Sequence, residues 1–201
     1  MGKNGISALF AMMGFDSQMR SAAIGIGYCW LAGCLAACGG QEGSTATSSS
    51  PADFSNTLLS AHNQVRAAVT LPVGYAGTWA PLPRLSWSSA LEASAQSWVN
   101  TLRDSKNCVP SHDDTSPYGE NIAGGTVGYT ITMAFEAWAA EMPSYAFSPV
   151  YAFDKSTGHY TQIVWRNTTE LGCAMAQCPS GYLVYSCRYN PAGNVVGAQP
   201  Y

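Results

Sequence analysis

Charged residues are scarce in this chain of 201 residues. They make up 10 % of it, with 9 basic and 12 acidic side chains and a net charge of −3, against about 25 % in an average soluble protein. The basic footprint of a nucleic-acid-binding protein is therefore missing. A glycine-rich phosphate loop is missing too, which argues against nucleotide chemistry. Hydrophobic residues make up 47 %, which excludes disorder of the whole chain.

Histidine is rare, and its spacing excludes the common metal motifs. The 3 histidines are His62, His112 and His159, and no two of them have a short metal-ligand spacing such as HExxH. The serine-hydrolase elbow Gly-x-Ser-x-Gly is also absent from the sequence. His62 shares a predicted helix face with Asn63 and Arg66, so we expect a capping or surface role for it.

The 7 cysteines divide between an N-terminal segment and the rest of the chain. Met19 and Arg20 precede an apolar stretch that ends in small residues before Cys38, the pattern of a secretory signal peptide with a lipoprotein-type cleavage site. Cleavage before Cys38 leaves one acylated thiol and an even set of others, whereas cleavage before Cys34 leaves an odd thiol. We therefore expect a signal peptide over residues 1–38 and lipidation of Cys38. Lipidation of Cys34, an uncleaved anchor helix and simple secretion are the alternatives.

The composition then predicts one domain behind a linker. Residues 39–52 are rich in Ser, Thr and Gly, which is typical of a flexible linker, and residues 53–201 carry the fold. The predicted helices cover residues 53–70, a segment beginning near Ser88 or Ser89, and residues 130–142. The predicted strands cover residues 161–165, 173–177 and 183–188. Helices in the first half and strands in the second predict an α+β fold with an antiparallel sheet.

Apolar spacing predicts which helix faces are buried. In the second helix, Ser89 and Glu92 have the spacing of a capping box. Its expected buried stripe is Leu91, Ala95, Trp98 and Leu102. The third helix offers for burial Met133, Ala134, Phe135, Trp138 and Ala139.

The last two predicted strands also suggest a disulfide pairing. A turn centred on Ser180 places Cys173 opposite Cys187, within disulfide reach. Cys108–Cys178 then follows by elimination and closes a long loop worth about 4 kcal/mol in the chain-entropy model. The sequence alone still allows other connectivities.

Two glutamates stand out among the few acidic residues. Glu120 is flanked by Tyr118 and Ile122, and Glu141 follows Trp138 at the end of an apolar helix. A carboxylate among apolar neighbours must be paired, hydrogen-bonded or protonated. Two histidines and two carboxylates in one cleft would bind a divalent ion such as zinc. A metal-free hydrogen-bonded network that holds loops to helices is the alternative.

Four sequence blocks resemble one family. GHYTQIVWRNT at 158–168 and YSCRYNPAGN at 185–194 are similar to the two signatures of the CAP superfamily, which includes cysteine-rich secretory proteins, antigen-five proteins and plant pathogenesis-related proteins of group one. GENIA at 119–123 and AHNxxR at 61–66 match two further blocks. The resemblance covers about residues 55–201, and it is greatest to the plant group.

The resemblance implies a three-layer α-β-α sandwich with a central antiparallel sheet and a central cleft. It maps the family's tetrad onto His112, Glu120, Glu141 and His159, in which the histidines can hold zinc or another divalent cation and the glutamates orient them or a bound water. It also implies the same two disulfides. Two positions depart from the family pattern: Asp113 stands where serine is usual, and Arg188 replaces a common asparagine.

The N-terminal pattern and the resemblance together predict an exported, lipid-anchored and monomeric protein that binds rather than catalyses. The expected ligand is a sterol, another lipid or an extracellular protein. The alternative is a metal-dependent hydrolase or protease in which Glu120 or Glu141 acts as general base on a bound water. Residues 191–201 also match the C-terminal peptide that the plant proteins release, although the same segment is a structural part of the second signature.

Overall fold

The computed structural model describes residues 51–71, 80–148 and 151–201. The predicted signal peptide, both candidate lipidation sites and residues 39–50 of the predicted linker lie outside the described residues. Within those three ranges, no helix is long and apolar enough to cross a membrane.

Four α-helices form in the described part of the chain. They are α1 (Pro51–Ala68), α2 (Ser89–Ser105), α3 (Ile131–Ala139) and α4 (Gly158–Ile163). Helix α2 starts at Ser89, as predicted, but the predicted capping box is wrong. Ser88 is the N-cap and its side chain makes no capping hydrogen bond. The Glu92 carboxylate instead accepts a hydrogen bond from the Trp87 indole at 2.8 Å.

Burial confirms most of the predicted helix faces. The buried residues of α2 are Leu91, Ala95, Val99 and Leu102, so Val99 takes the place predicted for Trp98, which is only half-buried. Helix α3 buries Ala134, Phe135, Trp138 and Ala139. Met133 is 47 % exposed, so its predicted burial is wrong.

Helix α3 is shorter than the pattern predicts. Thr130 is its N-cap and accepts a hydrogen bond from the Met133 amide at 3.2 Å. The helix ends at Ala139, and a separate 3-10 turn follows over Met142–Ser144 with Pro143 inside it. Glu141 therefore lies between the two elements, at the N-cap of the turn.

The predicted strand at residues 161–165 is wrong, because the chain forms helix α4 there. Thr161 is β-branched, but its hydroxyl donates back to the Thr157 carbonyl at 3.0 Å, a bond that a helix permits. Residues 160–163 are all buried, so the run has no polar face to mark its period. A short buried apolar run does not distinguish helix from strand.

Four strands form one open sheet within the described residues. They are β1 (Ser86–Trp87), β2 (Gly119–Gly125), β3 (Glu170–Gln177) and β4 (Leu183–Asn190), in the order β1-β3-β4-β2. The β3–β4 hairpin is confirmed, and the β2–β4 pair is also antiparallel. The two-residue strand β1 pairs parallel with β3, so the sheet is mixed rather than wholly antiparallel.

Helices cover both faces of the sheet, which confirms the predicted sandwich. Helix α2 packs so closely on β3 that a side chain at Gly172 would overlap the backbone at Leu91 and Glu92. The core between α2 and the hairpin includes Ala95, Val99, Leu102, Ala174, Ala176 and Val184. Side chains alternate along a strand, so Tyr189 points from β4 to the opposite face, where it contacts His62 of α1.

The two predicted disulfides are both present. Cys173 and Cys187 are register partners across the hairpin, with Cα atoms 4.0 Å apart. Cys108–Cys178 joins the segment after α2 to the end of β3, across 70 residues of sequence. The hairpin register therefore predicted the first bridge correctly, and elimination predicted the second.

His62 is a core residue, and its predicted surface role is wrong. Its side chain is fully buried, with Nδ1 donating to the Leu58 carbonyl and Nε2 accepting from the Tyr189 hydroxyl, both at 2.8 Å. Burial lowers the pKa of His62 to about 4. The ring is therefore neutral at physiological pH and joins α1 to β4.

Arg66 joins the same helix to the segments beyond it. Its guanidinium is buried and donates to four backbone carbonyls, those of Pro83, Ile163, Trp165 and Thr168. The last three belong to the end of α4 and the turn that follows. Arg66 therefore fixes the C-terminal end of the helix that carries His159.

Candidate functional site

A cleft of about 450 Å³ opens beside strand β2 and the start of helix α4. It is lined by His112, Glu120, Asn121, Phe153, Lys155, Gly158, His159 and Asn194. Three of the four residues predicted for the site therefore meet in one cavity. Glu141, the fourth, is not among the lining residues and contacts His159 from outside the cleft.

The first histidine of the site belongs to the loop before β2. His112 Nδ1 lies 2.8 Å from Glu120 Oε2, which also accepts from the Asp113 amide at 3.2 Å. The other carboxylate oxygen, Oε1, accepts from the Ser186 hydroxyl at 2.7 Å. The Glu120 side chain is 5 % exposed, whereas that of His112 is 58 % exposed. The hydrogen bond to Glu120 raises the pKa of His112.

The second histidine is in the first turn of α4. His159 Nδ1 lies 2.6 Å from Glu141 Oε1, and Glu141 Oε2 accepts from the amides of His159 and Tyr160 at 2.9 and 3.0 Å. Trp138 stacks on the ring with centroids 5.9 Å apart. The Asn121 amide donates to the His159 carbonyl at 3.1 Å, which ties the helix to strand β2. The His159 ring is thus held on several sides.

Each histidine therefore has its Nδ1 atom bound to a carboxylate, which leaves Nε2 as the nitrogen open to a ligand. Metal-binding histidines commonly have this arrangement, because the carboxylate fixes the tautomer and the ring orientation. Among the residues that the structure describes, no three His, Cys, Asp or Glu side chains converge on a common point as metal ligands. His112 and His159 line the same cavity and offer imidazole nitrogens, which zinc accepts as ligands. The glutamates act as hydrogen-bond partners of the rings.

A buried arginine stands behind the first histidine pair. Arg188 of β4 is fully buried and donates from Nη2 to Asp113 Oδ2 at 2.9 Å. Its Nη1 atom lies 3.5 Å from Glu120 Oε1. The sequence singled out Asp113 and Arg188 separately, and only the fold shows that they touch. Strand alternation could have placed Ser186 and Arg188 on one face of β4, but it could not have identified their partner.

A second cavity of about 580 Å³ adjoins the cleft. Its walls include Tyr145 and Tyr151, and it shares Phe153 and Lys155 with the cleft. Phe153 is 49 % exposed, which leaves an aromatic ring accessible between the two cavities. Sequence reasoning missed this cavity, because its residues lie in an irregular segment without a recognisable period.

The fold agrees with what comparison with known proteins finds. The family model described as "CAP: Cysteine-rich secretory protein family" matches residues 59–189, and the chain belongs to this family. Two disulfides are typical of an oxidising compartment. Together with a family described as secretory, they indicate an extracytoplasmic protein.

Particular relatives refine this assignment. Pathogenesis-related protein 1C of Nicotiana tabacum is 39 % identical over 145 residues, which cover 71 % of this chain and 78 % of the relative. Pathogenesis-related protein 1 of Arabidopsis thaliana is 35 % identical over 152 residues, covering 76 % and 83 %. Among solved structures, "NaASP2 with Zn2+" is 28 % identical, with a TM-score of 0.56 over 73 % of this chain and 83 % of that one.

Proposed function

We propose that the chain is a monomeric binding module whose cleft holds a divalent cation, such as zinc, through His112 and His159. The observation that carries this proposal is that both imidazoles line one cavity while each Nδ1 is bound to a glutamate. A bound cation would supply a Lewis-acidic centre with positions open to a ligand. The structure of NaASP2 with Zn2+, a relative of similar fold, supports the choice of metal.

The neighbouring cavity suggests what else binds. Volumes of about 300–1,000 Å³ with aromatic walls are typical of small-molecule sites, and the second cavity has about 580 Å³ with Tyr145, Tyr151 and Phe153 in its walls. Lys155 borders both cavities and offers a cation to a polar or anionic group. We infer a lipid-like or sterol-like ligand with its apolar body on the aromatic rings and its polar end toward the cleft.

The contacts of the glutamates favour binding over hydrolysis. A general base must face the water that it activates. Both oxygens of Glu141 accept bonds from the start of α4, and Glu141 does not line the cleft. Both oxygens of Glu120 accept from donors too. The carboxylates are thus engaged in holding the rings, which supports the binding role.

Two titrations of the full-length chain test the proposal. After removal of metal with a chelator, calorimetry should show saturable binding of one Zn²⁺ and none of Mg²⁺, which prefers oxygen ligands. Binding of a fluorescent fatty acid or sterol should also be saturable, and Phe153→Ser should weaken that binding. Val127→Ser is the matched control, because Val127 is an exposed apolar residue outside both cavities. Absence of saturable zinc binding contradicts the cation site, and absence of saturable lipid binding contradicts the lipid site.

We further propose that lipidated Cys38 anchors this module to a membrane through the polar segment at residues 39–50. The support is the sequence pattern before Cys38 and the even cysteine count that remains. The expected result is that the wild-type chain sediments with membranes after export, whereas Cys38→Ala remains soluble. Membrane association of Cys38→Ala equal to that of the wild type would contradict acylation at this residue.

A further inference from the structure

The two positions at which the chain departs from the family pattern are in contact with each other. Asp113, in place of serine, accepts a hydrogen bond at 2.9 Å from Arg188, which stands in place of asparagine. The two residues are 75 positions apart in the sequence. Exchange of Ser and Asn for Asp and Arg adds one negative and one positive charge, so the net charge beside the cleft does not change.

Arg188 lies between two carboxylates in the interior. Its side chain is 0 % exposed, with Asp113 on one side and Glu120 on the other. Within the described part of the chain, its Nε and Nη1 atoms are buried without a hydrogen-bond partner, and Nη2 donates to Asp113. A buried charge is tolerated only when it is paired. Arg188 and the carboxylates therefore depend on one another.

The geometry assigns each member of this group a separate task. Arg188 binds Asp113 through Nη2, and its Nη1 atom lies 3.5 Å from Oε1 of Glu120. The other oxygen, Oε2, is then left to His112 Nδ1 at 2.8 Å. The Asp113 amide donates to the same Oε2, so one residue contacts both Arg188 and Glu120.

We propose that Asp113 and Arg188 are a positioning pair that orients Glu120 and, through it, fixes the Nδ1–H tautomer of His112. Arg188 lies beside Oε1 of the buried Glu120 carboxylate, and its bond to Asp113 Oδ2 holds the guanidinium in that position. This role rests on the function proposed above, in which His112 binds a cation through Nε2. The effect of the pair on the tautomer does not require any metal.

Single replacements should disturb the histidine, whereas the double replacement should not. In Arg188→Asn, the Asp113 and Glu120 carboxylates lose the guanidinium between them. We expect their mutual repulsion to move Glu120 away from His112 Nδ1. In Asp113→Ser, Arg188 is free to bind both Glu120 oxygens and competes with His112 for Oε2. In Asp113→Ser/Arg188→Asn, the local net charge is again that of the wild type, with the residue types common in the family.

The direct test is the ¹⁵N spectrum of His112 in the metal-free, full-length chain at alkaline pH, where the ring is neutral. The wild type and the double variant should both show the Nδ1–H tautomer, while each single variant should show a mixture with Nε2–H. His159 is the internal control, because its partner is Glu141. Arg103→Asn/Asp104→Ser is the control pair, since the same residue types form an exposed ion pair there.

A second readout uses Zn²⁺ alone. Loss of a residue that orients a metal-binding histidine typically costs about 10–100-fold in affinity, so we expect that loss in Arg188→Asn and recovery to within about threefold in the double variant. If the wild type binds no zinc, the proposed function fails, while the ¹⁵N series still tests the pair. If Arg188→Asn does not fold, Asp113→Ser and the double variant test the positioning pair. A His112 tautomer unchanged in the folded single variants overturns the proposal.

Discussion

Replacement of His159 with glutamine should lower the affinity of the full-length chain for Zn²⁺ by at least about 100-fold, because it removes one of two imidazole ligands and costs more than loss of an orienting residue. His112→Gln should have the same effect, since both rings line the same cavity. The double variant should be no weaker than either single variant, because one remaining imidazole does not hold the ion in place. Calorimetric titration of the metal-free chains measures all three.

Replacement of Glu141, the partner of His159, should have a smaller effect than replacement of the histidine itself. Glu141→Gln keeps the size of the side chain but weakens the bond to His159 Nδ1, so we expect a loss of about 10–100-fold. Glu136→Gln is the matched control, because it makes the same change in helix α3 at a residue that does not line the cleft.

Independent, additive losses of zinc affinity in His112→Gln and His159→Gln would contradict a shared site.

Replacement of Arg66 with methionine should destabilise the fold by at least about 3 kcal/mol, because each buried carbonyl left without a donor costs about 1–3 kcal/mol. Four carbonyls lose the Arg66 donor in this variant, and among them the Trp165 carbonyl keeps a second donor, the Thr168 amide at 3.2 Å. The change also removes a desolvated cation, since burial lowers the pKa of Arg66 to about 10. Removal of the cost of burying the Arg66 charge offsets part of the lost stability but does not cancel it. Urea unfolding measures the difference.

Arg103→Met is the matched control for this variant. Arg103 is exposed and pairs with the adjacent Asp104, and such surface pairs contribute little to stability. Its urea midpoint should equal that of the wild type. An Arg66→Met chain that is as stable as the control would show that the four carbonyls find other partners and that Arg66 does not hold the end of α4.

The hairpin shows how much of this fold local pattern alone can predict. The period of a strand is two residues, so a turn at Ser180 determines that Cys173 faces Cys187. Strand β2 was not predicted, because three glycines in seven residues obscure its alternation. Helix α4 was predicted as a strand, because burial on all sides removes the polar face that would mark a helical period.

The candidate site also shows how far prediction from the sequence can go. Resemblance predicted the four tetrad residues, but it did not predict that the glutamates bind the Nδ1 atoms or that Glu141 is not among the residues that line the cleft. His62 was misplaced on the surface, because its partner Tyr189 is 127 residues away in the sequence. Contacts across such separations depend on the assembled layers, and no local pattern encodes them.

Zinc-edge anomalous diffraction from crystals of the zinc-loaded protein tests the central claim most directly. We expect one anomalous peak in the cleft, about 2.0–2.1 Å from Nε2 of both His112 and His159. Both Nδ1 atoms should remain bonded to Glu120 and Glu141. A peak bound to only one of the two rings, or zinc found only outside the cleft, would contradict it.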